Sequence, residues 1–293
     1  MLKRRDNFSI VIYTALFIFS ISIIIPFLNI IAVSFTDPTR LSEVTGFTIF
    51  PKGFSLQSYK IILNNPQMMR SLLNAIFITV AGTILNLILT VLGAYVLTRE
   101  NLYGKKFFMF LLIVVMVFEP SLITEYLVVK KLGLINTYTG IILFKAVNIY
   151  YLIILMRFFE EIPKSLTEAA TIDGASETNI LFRILLPLCK PALVTMTMFY
   201  SVFHWNEYFR ASIYLNDSSK WPLQVVLRQF VVLDDTTSMI SANALLAMDK
   251  AASINLDSLK SGTIVLAVVP ILLIYPLILK YYVKGNLDGG VKE

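Results

Sequence analysis

The stretch SLTEAATIDGA, residues 165–175, is an acidic, alanine-rich segment in a chain whose other long segments are mostly apolar. It lies within a polar link, residues 159–190, between two apolar runs. Pro163 prevents the preceding helix from continuing, and Ser165 with Glu168 fits the capping box that begins a new helix. The pattern therefore predicts a short helix that starts near Ser165.

This helix is predicted to end at Asp173 and Gly174, because glycine readily adopts the left-handed conformation that terminates helices. A second helix is predicted to begin near Ser176 and to end or kink at Pro187, since its apolar residues recur with helical spacing. The link is therefore expected to form a helix, a sharp turn and a second helix outside the bilayer.

Two interpretations of this helix pair are open from these signals alone. The pair is either a capped surface linker or a docking element for a partner. Docking is favoured by the small side chains of Ala169 and Ala170, which allow close approach, and by a turn that presents Asp173 and Gly174.

Composition indicates a membrane protein. The 293 residues are 57% hydrophobic and 15% charged, with a mean hydropathy of +0.74, which is far from the values of soluble domains. The net charge of +6 is dispersed around apolar runs, as membrane-orienting charges are, so we expect no nucleic-acid partner. The single cysteine, Cys189, excludes an intramolecular disulfide.

Six apolar runs are long enough for helices that cross a hydrocarbon core of roughly 30 Å. We therefore predict an all-α membrane protein with one transmembrane domain over residues 1–293. The approximate spans are residues 8–35, 71–98, 107–129, 139–158, 191–214 and 262–283. Two long connections, residues 36–70 and 215–261, are expected to cap the outer mouth of the bundle. The distribution of Lys and Arg favours a cytoplasmic N-terminus only modestly and leaves the opposite orientation open.

The polar link resembles the EAA motif of permease subunits in bacterial ABC importers. The match comprises Glu168-Ala169-Ala170, Asp173-Gly174-Ala175 and Leu186-Pro187, at the spacing of that family. In the family this motif forms the coupling helix, which sits in a cleft of a cytoplasmic ATPase. The resemblance implies a coupling role for Glu168, Ala169, Ala170, Asp173, Gly174, Ala175 and Pro187.

The resemblance extends along nearly the whole chain. It includes AYVLTRE (94–100), KLGLINTYTGIIL (131–143), WNEYF (205–209) and KYYVKGNLDGGVKE (280–293), which are similar to the second permease of carbohydrate importers of the maltose-transporter type. WPLQVVLRQF and PILLIYPLILKYYVKG are similar to the branch associated with complex oligosaccharides, including uronate-containing ones. The resemblance implies a type I importer fold in a bacterial inner membrane, with both termini in the cytoplasm.

The same resemblance implies the partners. These are two cytoplasmic ATPase subunits that bind ATP and Mg, a homologous second permease, an extracytoplasmic solute-binding protein, an oligosaccharide cargo and membrane lipid. The chain itself has no P-loop, because its only Gly-Lys pair, Gly104-Lys105, has Arg99 in place of the first glycine and Lys106 in place of the Ser or Thr. We therefore expect no nucleotide or other cofactor on this chain.

Polar side chains inside the predicted spans are candidates for the substrate pathway. A charge at membrane depth costs about 2.5 kcal/mol or more and usually faces a cavity or a partner. Glu119 precedes Pro120, a pair that would break the third span. The candidates are Glu119, Lys145, Tyr150, His204, Trp205, Asn206, Glu207, Tyr208 and Arg210.

Two interpretations of these residues are open. On one continuous helix, four of the fifth-span residues would form a polar stripe opposite Trp205: His204, Asn206, Glu207 and Arg210. The stripe could line a sugar pathway, with Lys145 and Arg210 as carboxylate partners for a uronate cargo. Alternatively, the charges form internal salt bridges: Glu119 or Glu125 with Lys145, and Glu207 with Arg210.

Two other classes of function fit parts of the pattern. A membrane-embedded hydrolase could use Glu119, His204 and Glu207 as acid and base, although no paired nucleophile or metal motif accompanies them. A proton-coupled secondary transporter of small polar solutes could use Glu119 as its titrating group, but the polar link would then have no purpose. A metal role is not expected, since His204 is the only histidine and no cysteine lies near it.

Overall fold

The computed structural model describes residues 7–235 and 256–288. Within these residues the regular structure is helical, apart from one isolated antiparallel bridge between Thr36 and Phe54. The chain divides into two compact units, Met1–Met69 with Val226–Pro270, and Arg70–Val225 with Ile271–Glu293.

The α-helices have the following bounds: α1 (Asn7–Phe35), α2 (Gln57–Asn64), α3 (Pro66–Thr98), α4 (Lys105–Val117), α5 (Leu122–Lys131), α6 (Tyr138–Ile142), α7 (Ile149–Glu160), α8 (Lys164–Ile172), α9 (Glu177–Asn179), α10 (Leu186–Leu188), α11 (Lys190–Trp205), α12 (Phe209–Tyr214), α13 (Leu223–Leu227) and α14 (Leu256–Asp288). Short 3₁₀ helices occupy Pro38–Glu43 and Ser218–Lys220, and π-helical segments occupy Ile180–Leu185 and Arg228–Val232.

The first unit shows why the connection after α1 is compact. Asp37 begins a 3₁₀ helix, because its carboxylate accepts the backbone N–H of Thr39 at 2.9 Å. Helix α2 then packs on the start of α14, where the hydroxyls of Ser58 and Ser258 are 2.7 Å apart. The described part of the other long connection, residues 215–235, is also mainly helical, and residues 236–255 lie outside the described residues.

Three of the described helices are long and apolar enough to cross a membrane: Ser9–Phe35, Pro66–Thr98 and Leu256–Pro276. They overlap the first, second and sixth predicted spans. Two bent pairs raise the number to five if each pair is one span: Lys105–Val117 with Leu122–Lys131, at 117°, and Glu177–Leu188 with Lys190–Trp205, at 85°. The chain is an all-helical membrane protein with three to five candidate spans.

The third, fourth and fifth predicted spans are not single continuous helices. Residues 118–121, which include the Glu119-Pro120 pair, separate α4 from α5. Residues 143–148 separate α6 from α7, and Asn148 starts α7 by accepting the N–H groups of Tyr150 and Tyr151. Local capping thus divides apolar runs whose length alone suggested uninterrupted helices.

A core of the second unit packs the polar link against helices α3, α7 and α11. Its buried residues are Val91, Ala94, Tyr95, Leu152, Leu155, Met156, Phe159, Ile180, Leu181, Leu185, Cys189, Ala192 and Met196. Because this core includes residues from the link, the link is an integrated part of the unit.

Candidate functional site: an exposed helix pair and a polar cluster

Helix α8, which carries the EAA residues, begins at Lys164 directly after Pro163. Pro163 is the N-cap residue, and no described side chain forms a capping hydrogen bond in the first turn. The predicted capping box of Ser165 and Glu168 is therefore wrong. Ser165 is already the second residue of the helix, so its hydroxyl is past the position from which a cap accepts the first N–H groups.

The end of α8 lies where it was predicted. The helix ends at Ile172, and Gly174 has a φ of 78°. The N–H of Gly174 donates to the carbonyl of Thr171 at 3.0 Å, and the N–H of Ala175 donates to that of Ala170 at 2.9 Å. These two bonds form the Schellman motif, whose left-handed residue is usually glycine. The Asp-Gly stop signal is confirmed.

The second helix of the link begins at Ser176, whose hydroxyl accepts the N–H of Asn179 at 3.3 Å. The chain remains helical through a π-helical segment and α10, then bends by 85° at Cys189. Pro187 lies inside α10. The helical break therefore comes two residues later than the proline, although the predicted start at Ser176 is confirmed.

One face of α8 is exposed. Four residues of the motif lie there: Glu168, Ala169, Asp173 and Gly174. Beside them Ile172 has 85% of its surface exposed. Ala170 and Ala175 are half-buried and pack against the core of the second unit. The motif thus combines an inner face that packs on the protein with an outer face that carries Ala169, Gly174, two carboxylates and an exposed isoleucine.

Two ion pairs that were not expected from the sequence hold the link to the end of α3. Arg99 binds the carboxylate of Glu177, and Lys164 binds that of Glu100. Tyr95 lies one turn before Arg99, and its hydroxyl donates to the backbone carbonyl of Glu177 at 3.0 Å. The partners are 78 and 64 residues apart, so spacing along the chain could not pair them. The one sequence signal for these ion pairs was the adjacent opposite charges of Arg99 and Glu100.

The pair of Lys164 and Glu100 is charged over a wide pH range. Its hydrogen bond lowers the pKa of Glu100 below the ordinary 4.5 and raises the pKa of Lys164 above the ordinary 10.5. Beside the pair lies a cleft of 1220 Å³, lined among others by Tyr95, Arg99 and Glu168. This cleft separates the end of α3 from α8.

The second group of candidates forms a polar cluster around Arg210. Its Nε donates to Glu125 at 3.0 Å, and its Nη1 donates to Glu207 at 3.4 Å. Tyr214 donates its hydroxyl to Glu125 as well. The side chains of Glu125 and Glu207 are only 12% and 8% exposed. Glu207 and Arg210 thus form the pair considered in the salt-bridge interpretation, whereas Glu125 pairs with Arg210 and not with Lys145.

Lys145 belongs to the same cluster through Phe144. The centre of the Phe144 ring lies 3.7 Å from the guanidinium carbon of Arg210 and 5.8 Å from the ammonium nitrogen of Lys145. Both distances are within cation–π range. Lys145 donates to Glu119 at 3.1 Å, and these side chains are 41% and 72% exposed. The cluster thus contains two basic and three acidic side chains.

The predicted polar stripe of the fifth span is wrong, because α11 ends at Trp205. Asn206 caps the end, and its amide donates to the carbonyl of Val202 at 2.9 Å. Glu207 accepts the backbone N–H of Arg210 at 2.9 Å and so supports the start of α12. Two of the side chains that would have formed the stripe, those of Asn206 and Glu207, bond instead to the backbone on either side of a break.

The remaining pathway candidates differ in exposure. His204 and Trp205 are both buried, at 3% and 6% exposure, while Tyr150 is 57% exposed and Tyr208 is half-buried. His204 Nε2 lies 3.4 Å from Asn86 Oδ1. The imidazole ring also occupies the space that a Cβ would need at residue 82, which is glycine. Helices α3 and α11 therefore approach closely at His204.

These features define the class of protein: an all-helical membrane protein in which a polar, partly exposed helix pair is inserted between apolar helices. Residues 89–286 match the family described as binding-protein-dependent transport system inner membrane component. The chain belongs to this family and is a permease of a carbohydrate-uptake ABC importer.

Relatives of known name cover almost the whole chain. It is 41% identical over 291 residues to the polygalacturonan/rhamnogalacturonan transport system permease protein YtcP of Bacillus subtilis (strain 168), which covers 99% of each chain. It is 44% identical over 269 residues to protein LplC of the same organism, covering 92% of this chain and 89% of LplC. A solved structure, that of a bacterial ABC transporter involved in the import of the acidic polysaccharide alginate, matches with a TM-score of 0.88 and 30% identity, over 96% of this chain and 99% of that one.

Family membership decides between the functions that the residues left open. The chain is the multi-pass inner-membrane component of an importer and is not itself an ATPase, since nucleotide in such systems is bound by the partner ATPase. It is therefore neither a hydrolase nor a proton-coupled transporter. A binding-protein-dependent ABC complex implies a partner ATPase, a second permease and a solute-binding protein.

Proposed function

We propose that this chain and a homologous second permease form the pathway for a uronate-containing oligosaccharide, which an extracytoplasmic solute-binding protein delivers. The similarity to YtcP over 99% of both chains carries the proposal, because that protein is named for polygalacturonan and rhamnogalacturonan. The solved alginate importer points to the same cargo chemistry, since alginate is an acidic polysaccharide. Both relatives thus handle sugars that carry carboxylates.

We further propose six membrane crossings with both termini in the cytoplasm. In this topology α4 with α5 forms the third crossing, α6 with α7 forms the fourth, and α11 with α12 forms the fifth. Broken helices at membrane depth are tolerated where the freed backbone groups lie within protein or line a cavity. The capping bonds of Asn148, Asn206 and Glu207 support this, because they satisfy backbone groups at two of the breaks.

We propose that the importer contains two cytoplasmic ATPase subunits, which bind ATP and Mg, and that helix α8 is the element that docks on them. Its exposed Ala169 and Gly174 allow a close contact, and its Schellman turn gives a defined end. Closure of the ATPase dimer would then move the link as a rigid body and switch the bundle from inward-open to outward-open. The residues assigned to this coupling are Glu168, Ala169, Ala170, Asp173, Gly174, Ala175 and Pro187.

Lys145 is better suited than Arg210 to bind a cargo carboxylate. Arg210 already contacts two nearly buried carboxylates and the ring of Phe144, and its side chain is 23% exposed. Lys145 has a more exposed side chain and a single carboxylate partner, Glu119. A cargo carboxylate therefore has one partner to replace at Lys145, but two nearly buried ones at Arg210.

The other pathway candidates divide by exposure in the same way. Tyr150 and Asn206 are exposed and can offer a ring face and an amide to a sugar, whereas Tyr208 is half-buried. His204, Trp205 and Glu207 are buried, and we assign them to the wall that supports the pathway.

Uptake of an oligogalacturonide, compared with its methyl ester of equal length, tests the cargo assignment in the complete importer. We expect Lys145→Ala to lower uptake of the charged cargo roughly tenfold, as expected for a lost hydrogen bond to a charged group, and to leave uptake of the ester unchanged. Lys130→Ala, at another exposed lysine, is the control. Equal losses for both cargoes would exclude a carboxylate role for Lys145, and absence of oligogalacturonide uptake by the parent would remove the proposed cargo class.

A further inference from the structure

Helix α8 is held at both ends by two adjacent residues that follow α3. Glu100 binds Lys164, the first residue of α8, and Arg99 binds Glu177, which lies just beyond the Schellman turn. The nine residues of α8 span roughly 13 Å at 1.5 Å per residue. Neighbouring side chains of opposite charge thus reach the two ends of the same helix.

The contact at Glu177 is more than a surface ion pair. Tyr95 is 8% exposed and belongs to the core of the second unit. Its hydroxyl contacts both the backbone carbonyl and the carboxylate of Glu177, and it accepts a hydrogen bond from Arg99. The guanidinium carbon of Arg99 lies 4.3 Å from the centre of the Tyr95 ring. The ion pair is therefore fastened to a buried side chain of α3.

The position of Arg99 also leaves one of its hydrogen-bond donors unsatisfied. Its Nε is buried and has no hydrogen-bond partner among the described residues, and a buried donor without a partner is unfavourable. An arginine that served only solubility would place its guanidinium in water. The arrangement indicates that the contact with Tyr95 and Glu177 determines where this side chain lies.

Helix α3 continues from this contact to the polar cluster. Thr90 hydrogen bonds to Tyr200 of α11 at 2.7 Å, and the amide of Asn86 donates to the backbone carbonyl of Lys145 at 3.3 Å. Asn86 also lies beside His204. One helix thus contacts the link near its C-terminal end and the proposed cargo residues near its middle.

We propose that Arg99, Tyr95 and Glu177 are positioning residues that tie α8 to α3, so that displacement of α8 also moves the backbone at Lys145. This route is additional to the covalent one from α8 through α9 and α10 to α11. The inference rests on the proposed docking of α8 on the ATPase. Because Glu177 is 70% exposed, its ion pair with Arg99 adds little to the stability of the fold. We therefore expect loss of the pair to lower uptake per ATP hydrolysed.

The test measures uptake per ATP hydrolysed by the complete importer in proteoliposomes, together with co-purification of its subunits. The variants are Arg99→Glu, Glu177→Arg, their combination, and Tyr95→Phe, which removes the hydroxyl but keeps the ring. We expect each single reversal to lower the ratio at least about fivefold, the lower end of typical coupling between sites. The combination should restore most of it. The control pair is Arg157 with Glu160, an ion pair within α7 at 3.0 Å, whose reversal should leave the ratio unchanged.

Two results would overturn the inference. The first is an unchanged ratio in both single reversals and in Tyr95→Phe, in an experiment where Gly174→Val does lower it. The second is an equal loss in the single and combined variants, because the residues would then not act as a pair. If Gly174→Val also left the ratio unchanged, the docking role of α8 itself would fail.

Discussion

Substitutions of Gly174 test whether the backbone geometry of the Schellman turn after α8 is needed for transport, because they strain the backbone without removing a side-chain contact. Gly174 has a φ of 78°, and no described heavy atom lies within 4 Å of the position that a Cβ would take. Alanine at this position therefore causes no clash, but it must adopt the left-handed conformation, which costs L-residues roughly 1–2 kcal/mol. That cost changes the population of the turn by a factor of about 5 to 30.

Uptake per ATP hydrolysed should fall in the order of backbone strain. Gly174→Asn is expected to be mildest because asparagine tolerates the left-handed region, and Gly174→Ala is expected to be intermediate. Gly174→Val is expected to be the most severe, since β-branched residues are rarely found there. Gly133 is the matched control: its φ is 71°, and again no described atom lies within 4 Å of an added Cβ. Gly133→Ala has the same backbone cost outside α8 and should leave the ratio unchanged.

Two results are incompatible with this role of the turn: equal ratios for the Asn, Ala and Val variants, or a loss in Gly133→Ala as large as that in Gly174→Ala. Either result would show that the geometry of the Schellman turn is not what links ATP hydrolysis to transport. Co-purification of the ATPase with each variant distinguishes failed docking from docking without transmission.

Two further outcomes follow from the charges. Arg210→Ala should destabilise the purified protein by about 3–5 kcal/mol, because it leaves the nearly buried Glu125 and Glu207 without a counter-charge. The melting temperature in detergent measures this loss of stability. A decrease no larger than that in Lys145→Ala would contradict the prediction. The Glu100–Lys164 contact should depend on pH in two directions. Because the pKa of Glu100 is lowered in the folded protein, its contribution to stability is complete above pH 4.5 and is lost as the pH falls through the pKa of the folded state. Because the pKa of Lys164 is raised, its contribution to stability is complete below pH 10.5 and is lost as the pH rises through the pKa of the folded state. Hydrogen exchange of α8, corrected for the intrinsic rate, should therefore rise on the acid side in the parent but show no such rise in Glu100→Gln.

The parts of the fold that local chemistry determines could be read from the sequence. The stop at Gly174 and the start at Ser176 depend on residues within one turn, and both lie where they were predicted. The start of α8 lies within one residue of its predicted position, but the residue that caps it was predicted wrongly. Pro163 and the S-x-x-E pattern both signal a helix start, and the proline, which comes first in the chain, determined where the helix begins.

Features that depend on distant partners could not be predicted in this way. The break after Trp205 involves no proline or glycine and arises where polar side chains bond to the backbone. Nothing in the spacing indicated that Glu125 would select Arg210 over Lys145, or that Arg99 would reach Glu177. Composition identified charges that require partners, but only the packing of the helices determines which partners they find.

The backbone of Lys145 has a φ of 50°, a conformation that is costly for a residue with a long side chain. Such strain is on the order of 1–3 kcal/mol and persists only where surrounding contacts enforce it. Glycine at this position would relieve the strain but would also remove the ammonium group that we propose for cargo carboxylates. Thermal stability and discrimination between acidic and neutral sugars would then change in opposite directions, so this one residue sets a trade-off between durability and selectivity.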